Sequence, residues 1–499
     1  MRMLAEEFAG RVATEPDRVV VIDADGEHTT AEVWHAAEAL AATIAGLVEG
    51  APTILVQADN SWRTLVTVLA TGHLGGFVAV FSSHATADEF DLALEDVRPD
   101  VVVASDGCVA SWDVARKGFD EEAADLDGWA VRAVPGRTRG TERWNGSVAV
   151  AMTSGSTGRP KCVVQSEEAL RFAGRATIDA VGLQAGDRVG AFVPLSSVAA
   201  LCFGLYLPAM LGGTMVCLPK WNPADALDLI REEQVRWTML VPTMALQFAM
   251  VDGAAGGLSS LAAMTVGGGP MDAGALGRAE ELLGTRFLRV FGMSECLGHT
   301  TPLPSDPAEV RLGRDGRPFP GIEVRVVDDQ GVPLPGGEVG RAQVKGPSLF
   351  TGYARDGAPV PPELTEDGFF FTGDLARIND DGTINIVGRE KQIIIRGGRN
   401  IDINEVEAVV ASVPDVVQVC VVPVPDPVLG ERAAALVVTP NPSLDLGVVR
   451  AHLESRGTPK HQWPEFVFVV EDLPQNRVGK LARKDATRLA AELVRSMPH

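Results

Sequence analysis

The sequence turns on Thr153-Ser-Gly-Ser-Thr-Gly-Arg-Pro-Lys161, a stretch of hydroxyl residues, glycines, one proline and two basic residues. An apolar run, Ser147-Val-Ala-Val-Ala-Met152, leads into it, and Cys162-Val-Val164 follows. A strand, a tight glycine loop and then a lysine offer backbone N–H groups and a cation to phosphate. The glycines and Lys161 lack the Walker spacing, and Cys162 stands where Ser or Thr would hold magnesium. No G-x-G-x-x-G dinucleotide fingerprint occurs there either. Ser, Thr and Gly also mark ordinary surface turns, so the stretch by itself reads as either.

The chain around it alternates helical and strand-like segments. Thr30 to Leu47 has apolar residues at helical spacing after a Thr29-Thr30 start, and Trp62 to Leu74 reads as another helix. Thr53–Gln57, Phe77–Phe81 and Val101–Val103 read as short buried strands. After the loop come strands at Arg188–Pro194, Thr214–Leu218, Trp237–Pro242, Leu261–Val266 and Phe287–Phe291, with a helix over Pro223–Glu233. This alternation predicts a mostly parallel, two-sided α/β sheet. Three strands run into backbone-rich turns: the opening stretch, Gly267-Gly-Gly-Pro270 and Gly292-Met-Ser-Glu295. Ligands of open α/β sheets sit at the carboxyl ends of strands, so these turns should meet in one cleft.

From about residue 311 short β-segments with Gly and Pro turns predict a small antiparallel barrel or sheet. After Arg389 a compact α+β segment follows, with helices at Asn404–Ser412 and Leu446–Ser455 and strands at Val417–Val422 and Glu465–Val470. A domain boundary is expected near Lys391.

A chain of 499 residues exceeds what one core usually supports, and its 46% hydrophobic and 22% charged residues are those of a folded globular protein. The net charge of −22, from 66 acidic against 44 basic residues, argues against nucleic acid or an anionic membrane as a general partner. Six scattered cysteines form no C-x-x-C pair and no zinc spacing, which fits a reducing compartment. The N-terminus has acids where a signal peptide needs apolar residues, and no apolar run reaches membrane-spanning length. A cytoplasmic protein is expected.

With its companions, the opening stretch closely resembles the phosphate-loop signature of the adenylate-forming superfamily of acyl-CoA synthetases, adenylation domains and luciferases. Gly267-Gly-Gly-Pro270 resembles that family's adenine loop, Phe291-Gly-Met-Ser-Glu295 its aromatic-Gly-x-Thr-Glu motif, and Thr372-Gly-Asp374 its ribose-binding motif. Gly388-Arg-x-Lys391 resembles its hinge, Gly397-Gly398 with Asn400-Ile401 and Glu405-Val-Glu407 its mobile-domain loop, and Gly479-Lys480 its late lysine motif. The resemblance runs nearly the whole length. It implies a large N-terminal ATP- and carboxylate-binding domain over residues 1–390, of α/β sheets plus a small β-barrel-like subdomain. It implies a small mobile α+β C-terminal domain over residues 391–499. The implied activity is AMP-forming acid–thiol ligation, with ATP, magnesium and coenzyme A as cofactors. A carboxylic acid is the expected small-molecule partner; a carrier protein and a homodimer are left open.

The resemblance assigns Thr153, Ser154, Gly155, Ser156, Thr157, Gly158 and Lys161 to the departing phosphates. Gly267, Gly268, Gly269, Phe291, Gly292 and Met293 fall to the nucleotide base. Glu295 becomes the magnesium ligand, a hard oxygen donor of the kind that ion prefers, and Ser294 a donor to the α-phosphate. Asp374 accepts the ribose hydroxyls and Arg389 reaches ribose and phosphate with a planar fork. Lys480 is the implied catalyst, a mobile cation offsetting the repulsion between carboxylate and phosphate. Lys391 is the pivot, and Gly397 and Gly398 would let a pantetheine arm pass once the domain rotates.

Departures from the family pattern bear on the acid. Ser196, Ser197 and Val198 follow Pro194-Leu195, where relatives often place His or an aromatic residue, and carry no acid to hold a substrate ammonium. With Val241 and Gly298 they outline a small, apolar pocket suited to a hydrophobic or aromatic carboxylic acid. No extra block separates Gly352-Tyr353 from Asp374, which favours coenzyme A over adenylate release. Cys162 and Glu167 replace a common Gly and a common His, with no role evident from sequence. An adenylate-forming enzyme that loads a carrier protein, and an inactive nucleotide-binding regulator, are the alternatives.

Overall fold

Strands buried along their whole length organise the first part of the chain. In the computed structural model, which describes residues 1–123, 126, 128–153, 161–269, 271–389, 393–397, 399–475 and 481–497, every residue of Thr53–Gln57 and Phe77–Phe81 is buried. Burial on both faces is what a parallel sheet covered by helices requires. Among the described residues the strands form two nine-stranded sheets, a four-stranded sheet and a five-stranded sheet, besides one short two-stranded pair.

One large sheet has a parallel centre of Val101–Ser105, Thr53–Gln57, Phe77–Phe81 and Ser147–Thr153. The other is parallel through Val19–Asp23, Thr214–Cys217, Arg188–Ala191, Trp237–Leu240, Ala263–Gly267 and Phe287–Met293. Both are edged by antiparallel strands. The predicted helix Thr30–Leu47 is present with those bounds, started by a capping box in which Thr29 and Glu32 satisfy each other's backbone N–H groups.

The loop stretch departs from the strand-to-helix geometry of a phosphate-binding crossover. Ser147–Thr153 pairs antiparallel with Lys161–Ser166, from Ser147 opposite Ser166 to Thr153 opposite Lys161. The stretch's cation is therefore the first residue of the return strand, and Glu167–Val181 is a helix only after that strand ends.

Glu323–Val327, Val339–Lys345, Phe370–Ile378 and Ile384–Arg389 make an antiparallel four-stranded sheet. Beyond it, Ile393–Arg396 and Arg399–Asp402 form a hairpin joined to Gly430–Val438, which pairs with Gln418–Asp426 and, in parallel, with Phe466–Val469. The helix Arg483–Arg495 packs beneath this sheet through Ala486 and Ala490. Among the described residues no helix is long and apolar enough to cross a membrane, and no disulfide joins any of the six cysteines.

Candidate active site

Two of the three strand-end turns converge, and the third, the opening loop, lies outside the described residues. A cavity of about 490 Å³ is lined by Gly267 and Gly268, by Phe291 through Ser294, and by Ser196, Ser197, Val241 and Gly298. Gly267 has to lack a side chain, since a Cβ there would stand 2.6 Å from Val290 on the neighbouring strand. Gly268 and Gly298 adopt left-handed backbone at φ of +84° and +55°, which favours glycine. Val198 is the exception in its segment: it is buried in the core, and Ala199 faces the cavity instead. Gly269 lies outside the lining, against Pro242.

Phe291 reaches the cavity with one face and stacks on His299 with the other, ring centres 4.8 Å apart and planes within 6°. His299 is fully buried and neither ring nitrogen has a partner in hydrogen-bond geometry, although the Phe291 backbone lies close enough to favour the charged form slightly. Burial wins, and the imidazole is held neutral with a pKa lowered to about 3.

Outside the cavity lining, two groups of charged residues meet. Lys161 Nζ lies 3.8 Å from Glu295 Oε1, and Tyr353 bridges them, donating to that oxygen at 2.8 Å and accepting from Lys161 at 3.3 Å. The Ser294–Glu295 turn is fixed by two further bonds, Gln165 Nε2 to the Ser294 carbonyl at 2.7 Å and Phe350 N–H to the Glu295 carbonyl at 2.8 Å. Arg389 Nε donates to Asp374 Oδ1 at 2.9 Å, the two residues standing opposite each other in the four-stranded sheet. Asp374 is only 3% exposed, and its Oδ2 has no hydrogen-bond partner among the described residues. Burial raises its pKa, with the charge of nearby Glu295 adding a little and Arg389 opposing.

A buried carboxylate oxygen without a donor suits a ligand that brings hydroxyl groups, and a ribose does. Glu295, beside a lysine and outside any cluster of three metal-ligating residues among the described ones, suits a cation that takes most of its ligands from phosphate and water. These residues fit ATP and magnesium.

Ser154 to Gly158, Lys391, Gly398 and Lys480 lie outside the described residues. Thr153 ends its strand opposite Lys161. Gln475, which lines the cavity, pairs with Leu481 across the Lys480 segment, and Asp485 lines it as well. Gly397 turns the hairpin at φ of +57°, bonded to the Leu429 carbonyl and away from the cavity lining. Sequence reasoning missed Tyr353 and Gln165 as site residues. Their partners are 58 and 129 positions away, and no local pattern signals such pairs.

The two unexplained departures have structural roles. Glu167 accepts from the N–H groups of Leu4 at 2.9 Å and Met3 at 3.1 Å, from the Met1 nitrogen at 3.0 Å and from the Tyr206 hydroxyl at 3.1 Å. It thereby caps the helix Arg2–Val12 from a distant segment. Cys162 is fully buried, with Sγ 4.0 Å from Asp96 Oδ2.

Residues 8–354 match the AMP-binding enzyme family, and residues 405–480 the AMP-binding enzyme C-terminal domain. Salicylyl-CoA synthase / salicylate adenylyltransferase of a Streptomyces species is 30% identical, the match spanning 97% of this chain and 93% of that protein. Triostin synthetase I of Streptomyces triostinicus is 36% identical over 69% of this chain, which spans 65% of that protein's length. The crystal structure of ATP-bound MatB from Rhodopseudomonas palustris aligns with a TM-score of 0.84 at 27% identity, covering 98% of this chain and 99% of that one. The chain belongs to the AMP-binding enzymes, the adenylate-forming superfamily whose motifs it carries in order.

Proposed function

We propose that the chain joins a hydrophobic or aromatic carboxylic acid to the AMP moiety of ATP, releasing pyrophosphate, and then passes the acyl group to the thiol of coenzyme A. The observation that carries this reading is the shared cavity. One wall is the glycine turn and Phe291; the other is apolar, with Val193, Phe203, Trp237 and Met239 beside Ser196 and Ser197. A buried ammonium would need a carboxylate there. Of the two acids in the lining, Glu89 is engaged in capping its helix at Thr86, and Asp485 comes from the last helix. The kinship with a salicylate-activating relative favours an aromatic acid.

Each residue has a defined task. Phe291 offers an apolar face to the base, and Asp374 Oδ2 accepts from the ribose. Lys161 and the loop before it draw off pyrophosphate. Glu295 would hold the magnesium, which would supply charge neutralisation on the phosphates. Lys480 places its charge between the carboxylate and the α-phosphate, which is electrostatic and positional catalysis. The C-terminal unit from residue 391 then turns about Lys391, moving Lys480 out and the Gly397-Gly398 turn in for the thiol.

The test is a panel of aliphatic, aromatic and amino acids, assayed for pyrophosphate release with and without coenzyme A and read by product mass. The expected result is release with an aromatic or hydrophobic acid and an acyl-CoA product. Adenylate without CoA transfer, rescued by a phosphopantetheinylated carrier protein, would replace the acceptor. Binding of ATP with no AMP formed from any acid would leave a regulator.

A further inference from the structure

The residue that ties Lys161 to Glu295 is Tyr353. It lies in the strand Gly352–Arg355, opposite Val163 of the strand that Lys161 begins. Its ring is set edge-on to Phe350, centres 4.8 Å apart, and Lys161 Nζ sits 4.8 Å from its centre. Lys161, Glu295 and Tyr353 come from three separate segments, so their meeting is a product of the fold.

Magnesium demands near-octahedral geometry, and a carboxylate meets that demand only when one oxygen is aimed at the ion. A carboxylate rotates broadly about its last torsion unless something holds it. Glu295 Oε1 is held by the Tyr353 hydroxyl at 2.8 Å with Lys161 at 3.8 Å, whereas Oε2 has no hydrogen bond among the described residues. We propose that Tyr353 is a positioning residue which, by fixing Glu295 Oε1, presents Glu295 Oε2 to the magnesium that accompanies ATP.

This inference rests on the ATP-dependent reading, and its test separates the two. Tyr353→Phe keeps the ring, its contact with Phe350 and the face beneath Lys161, and removes only the hydroxyl. ATP binding is measured by calorimetry without any acid, over a magnesium titration and in chelator. The magnesium needed for half-maximal binding should rise roughly tenfold, the usual cost of losing an outer-shell partner of a metal ligand. ATP binding in chelator should not change. An unchanged magnesium requirement overturns the inference, as does an equal loss at every magnesium concentration. Absence of magnesium-dependent ATP binding in the unaltered chain removes the functional reading and the inference with it.

Discussion

Asp374 is buried with one oxygen paired to a half-exposed arginine and the other without a hydrogen-bond partner among the described residues. Its folded pKa is raised, so between the ordinary carboxylate value and the raised one the folded chain holds the extra proton. Stability from this group therefore falls as pH rises through that window, and above it the buried charge is a standing cost. Asp374→Asn removes that cost, and the melting temperature at neutral pH should hold or rise. The same change should weaken ATP binding roughly tenfold or more, because an ionised acceptor is lost to the ribose. Calorimetric ATP affinity and a melting curve check both halves, and unchanged affinity would remove Asp374 from the site. Asp374 was legible because it sits inside a short local motif, Thr372-Gly-Asp374. Tyr353 was not, since its contact with Glu295 spans the fold. Val198 was misplaced because a pocket assigned by segment cannot tell which side chain of a turn points inward.

At the scale of elements, periodicity placed the buried strands Thr53–Gln57 and Phe77–Phe81 and the helices Thr30–Leu47 and Leu446–Ser455, whereas the strand expected over Arg188–Pro194 ends at Ala191. It did not reveal that the strand before the phosphate loop pairs antiparallel with Lys161–Ser166, because pairing partner and direction are tertiary properties. It also passed over the strand Gly430–Val438, whose alanine-rich run gives weak strand signal although it is the centre of its sheet. The proposed pivot, Lys391, falls in sequence between the strand Ile384–Arg389 and the hairpin beginning at Ile393. Proline fixes φ and removes a donor, so Lys391→Pro should block rotation while leaving the adenylating arrangement intact. Carboxylate-dependent pyrophosphate exchange should persist and CoA thioester formation should be lost. Lys480→Ala should show the opposite partition, losing exchange by orders of magnitude. Equal loss of both half-reactions in Lys391→Pro would count against a pivot there.

For the whole molecule, two parallel-centred sheets deliver strand-end turns to one cavity, and the C-terminal segment contributes Gln475 and Asp485 to its lining. The four-stranded sheet carries the Asp374–Arg389 pair, which stands outside that lining. The central claim is that the acid's own oxygen attacks the α-phosphorus and that pyrophosphate leaves. It is tested most directly by supplying an accepted acid labelled with heavy oxygen in its carboxylate, with ATP and CoA, and weighing the products. If the account holds, one labelled oxygen appears in AMP and none in pyrophosphate, because the bridging oxygen stays with phosphorus when the thiol takes the acyl carbon. Unlabelled AMP, or label in orthophosphate with ADP as the co-product, would contradict it.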